Sequence, residues 1–182
     1  MAPAATKAAT KETPKLKAQD KSGFVRLADD LKFGQPYDFK RDSEIDHTSP
    51  GSRGSATVLE YRSQIARSDK RPQELHDYLH GKYSWSALKV RVCNDDIEES
   101  GEATTSISVW PWLLELSDGS VASAFDDELP GFPRPLYPTD EEDLHSGACR
   151  TGNVIFAVPN DQRVTRVLYV REGWLPVAWA DK

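Results

Sequence analysis

Apolar residues recur at every second position in short runs along most of this chain. Leu88, Val90 and Val92 alternate with Lys89, Arg91 and Cys93, and Val154, Phe156 and Val158 form another inward face. A period of two sends successive side chains to opposite faces of an extended strand, so it marks strands with one face buried and one face wet. Ser55–Ser63 is a candidate strand with Leu59 and Tyr61 on one side and Glu60 and Arg62 on the other. Trp110, Trp112, Leu114 and Leu116 share a parity that predicts a core face, and Asp118-Gly119 then supplies a hairpin turn. Val121–Phe125 would return from it. Pro159-Asn160-Asp161 turns into Val164–Val170, and Leu175–Ala180 ends the chain as a short extended segment. Leu31–Phe39 carries a Gly-Gln-Pro interruption that suits an edge strand. Seven to eight short strands with turn signals between them predict an all-β, antiparallel β-sandwich.

Two segments break this rhythm. Residues 70–83 have room for one short helix, starting at Pro72 and ending at Gly81. Residues 126–148 carry four prolines and no period. A connection of that length inside a compact domain is uncommon and often functional. Residues 1–22 are built mostly from Ala, Thr, Lys and Pro, with only Met1 and Leu16 large and apolar. They cannot bury enough surface to offset their ordering entropy and are expected as a disordered spacer ahead of a domain over residues 23–182.

The spacer's five lysines against Glu12 and Asp20 leave it at +3, so the rest of the chain carries −9 of the net −6. An acidic body repels phosphate backbones, which argues against nucleic acid as a partner. No run of 18 apolar residues is present, so no transmembrane helix is expected, and no charged-then-apolar signal peptide precedes the spacer.

Two cysteines allow one internal pairing. Cys93 shares the wet parity of Lys89 and Arg91, and Cys149 lies opposite the inward set of Val154, Phe156 and Val158. Cys93 ends its strand and Cys149 begins its own. If those strands are antiparallel neighbours, the thiols meet on the outer face. A Cys93–Cys149 disulfide is therefore expected, and with it an oxidising compartment.

Three stretches resemble a known family: Leu88-Lys-Val-Arg-Val-Cys-Asn94, Trp110-Pro-Trp112 followed by Leu116-Ser-Asp-Gly119, and Ser146-Gly-Ala-Cys-Arg-Thr-Gly-Asn-Val-Ile-Phe-Ala-Val-Pro159. They look like the telokin-like domain of unknown function found in exported actinobacterial proteins and lipoproteins, related to a secreted mycobacterial immunoprotective antigen. Arg163–Tyr169 and Val177–Trp179 fit the same pattern. The resemblance covers about residues 85–180. It implies an immunoglobulin-like sandwich, an extracellular or cell-surface location, and membrane tethering through an N-terminal signal that has been removed. It carries over no catalytic residue. The chain departs from the pattern at residues 64–84 and 126–148, and it has no lipobox cysteine.

Other chemistry is weaker. His76 and His80 stand at i, i+4, a spacing that would aim two imidazoles at one metal, or serve a hydrolase, but no third ligand is apparent. His145 precedes Cys149 by four residues, yet a disulfided cysteine is no nucleophile. Asp126-Asp127-Glu128 and Asp140–Asp143 lack the glycine-centred calcium loop and read as a solvated rim. Trp110 and Trp112 could stack on sugar rings, but their parity favours the core. No cofactor and no enzymatic activity are expected. The favoured reading is a binding or adhesion module for an unknown protein or cell-envelope ligand, contacted through Leu129, Phe132, Leu136 and Tyr137 of the proline-rich loop. A structural or assembly role in the cell envelope is the alternative. In a further alternative for the loop, Phe132 and Leu136 fold back and cap one end of the sandwich.

Overall fold

The computed structural model describes residues 30–40, 53–65, 82–96, 104–127, 131–171 and 176–181. These residues are all-β, and no helix occurs among them. The eleven strands are β1 (Leu31–Lys32), β2 (Pro36–Lys40), β3 (Arg53–Arg62), β4 (Tyr83–Asn94), β5 (Thr104–Ile107), β6 (Trp112–Leu116), β7 (Val121–Ser123), β8 (Glu142–His145), β9 (Cys149–Pro159), β10 (Val164–Tyr169) and β11 (Val177–Ala180). A five-stranded sheet runs β1-β11-β10-β6-β7, and a four-stranded sheet runs β2-β3-β4-β9. A two-stranded ribbon pairs β5 with β8. Every pairing is antiparallel except β1 with β11, which is parallel.

The alternation in the sequence becomes the two inner faces of a sandwich. Leu88, Val90, Val92, Val154 and Phe156 from one sheet meet Trp112, Leu114, Val167 and Trp179 from the other, all fully buried. The Trp112 ring lies 4.6 Å from Tyr169 and 6.0 Å from Trp179, and the Trp179 indole donates to the Gln35 carbonyl at 2.9 Å. Burial of large apolar and aromatic groups at this density is the main favourable term in folding such a domain.

Several expectations change in detail. The Gly34–Pro36 interruption does more than roughen one edge strand. Gly34 takes φ +86, and the chain leaves β1 in one sheet and enters β2 in the other. Leu59 was expected on the side of Tyr61, but a register shift between Val58 and Glu60 makes it an extra residue, and it is 39% exposed. The inward residues of β3 are Ala56 and Val58. The strand count exceeds the expected seven to eight because the expected Leu31–Phe39 strand is two, β1 and β2, and because β5 and β8 carry little periodicity. The helix expected over 70–83 and the spacer over 1–22 lie outside the described residues, apart from Lys82 and Tyr83, and Tyr83 already belongs to β4.

Candidate functional site

β9 is the edge strand of the four-stranded sheet, and two short pieces of chain cover its outer edge. After β7, Ala124 bridges to Phe156, and the Phe125 amide donates to the Ile155 carbonyl at 2.7 Å. Further on, the proline-rich loop lies alongside Asn153. The Asn153 amide donates to the Pro135 carbonyl at 2.8 Å, and the Tyr137 amide donates back to the Asn153 carbonyl at 3.0 Å. The buried Asn153 side chain donates to the Pro133 carbonyl at 3.1 Å and to that of Pro135 at 3.0 Å, and it accepts from Arg62 at 3.2 Å. One asparagine thus ties down a segment whose prolines offer no amide of their own. A β-carbon at Gly152 would stand 2.6 Å from the Tyr137 nitrogen and 2.8 Å from the Leu136 carbonyl, so only glycine admits this approach.

These contacts correct the expected role of the loop. Phe132 is buried against Ala87 and Ile155 on the outer face of the β4–β9 pair, with Trp85, Phe125 and Leu136 around it. Its ring meets Trp85 edge-on at 5.0 Å. Tyr137 is 2% exposed and belongs to the main core. Neither side chain is available to a partner. Leu136 is half-buried against the outer cluster, and Leu129 lies outside the described residues. The fold-back alternative had placed Phe132 over an open end of the sandwich. Instead it covers the outer sheet face, because Ala87 and Ile155 interrupt the polar parity there.

With its apolar side chains turned inward, the loop leaves a cleft of about 770 Å³ lined by Arg134, Thr139, Asp140, Glu141, Glu142 and Arg150 above the Pro135–Pro138 backbone. Arg150 lies 3.7 Å from Glu142, and its Nε is buried without a hydrogen-bond partner among the described residues. Burial pushes the Tyr137 phenol well above its ordinary value. The neighbouring Tyr169 adds to the rise, while Arg171 and Arg150 oppose it. The cleft wall therefore holds a neutral tyrosine between charged groups.

Trp110 follows Val109, which is bonded to Pro138 of the cleft lining. Parity had placed it in the core with Trp112, yet it is 60% exposed while Trp112 is fully buried. The chain makes a turn from Val109 to Trp112, closed by a hydrogen bond from the Trp112 amide to the Val109 carbonyl at 3.0 Å. The Val109 amide donates to Pro138, which lines the cleft, at 2.9 Å, and the Val170 amide donates to Pro111 at 2.8 Å. Pro111 carries the signal: a proline cannot continue an inner strand, so the inward pattern begins at Trp112.

Cys93 and Cys149 are joined by a disulfide and sit directly opposite each other in the β4–β9 register. Arg91 donates to Cys149 Sγ at 3.3 Å on the outer face. At the same corner the buried Asn94 side chain donates to the Leu144 carbonyl at 2.9 Å, which fixes the β5–β8 ribbon against the sandwich. His145 is exposed on β8, and the bridge removes any Cys149 thiol. Among the described residues no three His, Cys, Asp or Glu side chains are grouped to hold a metal ion, and His76 and His80 lie outside them. No helix among the described residues is long and apolar enough to cross a membrane.

No family model matches the chain, and no curated protein matches it. Among solved structures, it is similar to the crystal structure of "a putative lipoprotein (ycdA)" from Bacillus subtilis, with 14% identity and a TM-score of 0.44. The match covers 69% of this chain and 35% of that one. A likeness at that level carries no argument about function, and the telokin-like resemblance rests on the sequence segments quoted above.

Proposed function

We propose that this protein is a non-catalytic, extracytoplasmic binding module whose contact surface is the cleft beside the proline-rich loop, with Trp110 as its anchor. The observation that carries the reading is an exposed indole on a turn held by three backbone hydrogen bonds, one of them to Pro138 of the cleft lining. Exposed tryptophans on rigid supports are enriched among residues that dominate binding energy, because a large ring is offered at small entropic cost. The Cys93–Cys149 bridge supports the compartment, since such bonds persist where the surroundings are oxidising.

The partner is read as a basic protein segment. Asp140, Glu141 and Glu142 are exposed and line the cleft, so a basic segment entering it would meet these carboxylates, and a cation reaching the Trp110 ring would gain from the indole face. The test compares wild type, Trp110→Ala and Glu141→Lys as bait for basic peptides at low and high salt. Wild type should bind in a salt-dependent way, and both variants should lose about tenfold or more in affinity at unchanged stability. Equal binding by all three would refute this surface.

A further inference from the structure

We infer a second site, for a neutral hydroxyl-rich small molecule the size of a single sugar ring, at the other end of β9 from the cleft. Arg150 and Val158 are separated by eight residues of extended strand, roughly 26 Å, so the two sites are distinct. Here the ends of β3 and β4 and the β9–β10 turn enclose a pocket of about 320 Å³, at the small end of the range for small-molecule sites.

Its lining differs in kind from that of the cleft. Tyr61, Gln64, Ser84, Ser86, Asn160 and Gln162 bring uncharged donors and acceptors to one cavity, and Arg163 is its one charged member. Val158, Pro159 and Val164 add apolar wall. Hydroxyls, amides and an apolar surface together suit a sugar ring, which offers hydroxyls at its edge and C–H groups on its faces.

Two features show capacity left over for a ligand. Ser86 is 1% exposed, and its hydroxyl is bonded to the Tyr61 hydroxyl at 3.0 Å. Two hydroxyls carry two protons and the bond between them uses one, so the pair keeps one donor in hand whichever way it runs. Burial raises the Tyr61 phenol above its usual pKa, more than the Ser86 bond lowers it, so the group stays a neutral donor. Gln64 is the one non-glycine with positive φ among the described residues, at +52°. A side chain held there without glycine's freedom points to a requirement for the side chain itself. The adjoining Ile65 amide is bonded to the Trp85 carbonyl at 2.8 Å, which fixes the backbone behind it.

The test is a protein-observed NMR titration with glucose and N-acetylglucosamine, and with sulfate as a charged control. Both sugars should shift the side-chain amides of Gln64, Asn160 and Gln162 and the backbone of Ser84–Ser86, with dissociation constants on the order of 1 mM and little salt dependence. Gln64→Gly, which keeps the positive φ, and Ser86→Ala should each weaken binding by about tenfold. No shift at sugar concentrations of about 100 mM would mean that the pocket holds ordered water only, and would overturn the site. Shifts unchanged in both variants, or confined to Trp110 and Arg150, would also overturn it. Because the cleft is probed by basic peptides and this pocket by sugars, either assignment can fail while the other stands.

Discussion

Replacing Phe132 by alanine separates a loop that is part of the fold from one merely resting on it. The ring is 4% exposed and packs on Ala87 and Ile155, with Trp85 edge-on at 5.0 Å. A buried aromatic ring removes some 150 Å² or more of apolar surface from water, worth about 4 kcal/mol at 25 cal/mol per Å². The edge-to-face contact adds about 1 kcal/mol. Trp85, Phe125 and Leu136 are only half-buried, so they can close part of the cavity and reduce the loss. The expected cost is about 3 kcal/mol, to be read from the urea midpoint at constant m-value. Hydrogen exchange at the Tyr137 and Asn153 amides should quicken in the same variant, because both bonds belong to the segment that Phe132 holds down. A cost below about 1 kcal/mol with unchanged exchange would refute the covering role and return the ring to the surface.

Gly152→Ala should cost about 2 kcal/mol or more in the same denaturation assay, since the atoms its methyl group would strike are backbone. Trp110→Ala should change stability by no more than about 0.5 kcal/mol, and a larger loss would show that the indole has a structural role. Cys93→Ser with Cys149→Ser opens a loop of sequence separation 56 and should cost about 4 kcal/mol on the chain-entropy estimate; the wild type should show no free thiol before reduction. Burial raises the phenol pKa of Tyr137 and Tyr169, so the native state holds their protons more tightly than the unfolded chain does. Their contribution is complete below about pH 10 and falls as pH rises beyond it. The share of phenolate absorbance that belongs to these two rings should therefore appear together with alkaline unfolding, and ionisation of both rings in an intact fold would contradict their burial.

The sandwich was legible because its inner strands are amphipathic in the simplest way. Leu88–Val92 alternates without a break, which fits a strand with one dry face, and the apolar run Val154–Val158 fits a strand buried on both faces. The cysteine pairing was legible for the same reason, as parity and strand order put both thiols on one face. The site was harder to read. Trp110 followed the strand parity until Pro111 ended it, and apolar residues in a proline-rich loop look alike whether they meet a partner or their own sheet. Phe132 is placed by Ala87 and Ile155, whose apolar character on the outer face calls for a cover. Asn153 gave no signal, because a buried asparagine that organises a loop through carbonyls has no pattern of its own. The Leu59 bulge also hid, since one extra residue reverses the parity of everything after it.

The Cys93–Cys149 link closes a covalent ring around everything between those residues, including β5–β8, the Trp110 turn and the proline-rich loop. A peptide bond cut once inside this ring releases no fragment. The two new ends remain attached through sulfur, and the β4–β9 ladder still holds the parts in register. Among proteases, the proposed contact surface would thus tolerate a nick that would shed an equivalent arm from an open chain. After one cut its loss would require reduction or a second cut, which ties the lifetime of the proposed binding face to the redox state of its surroundings.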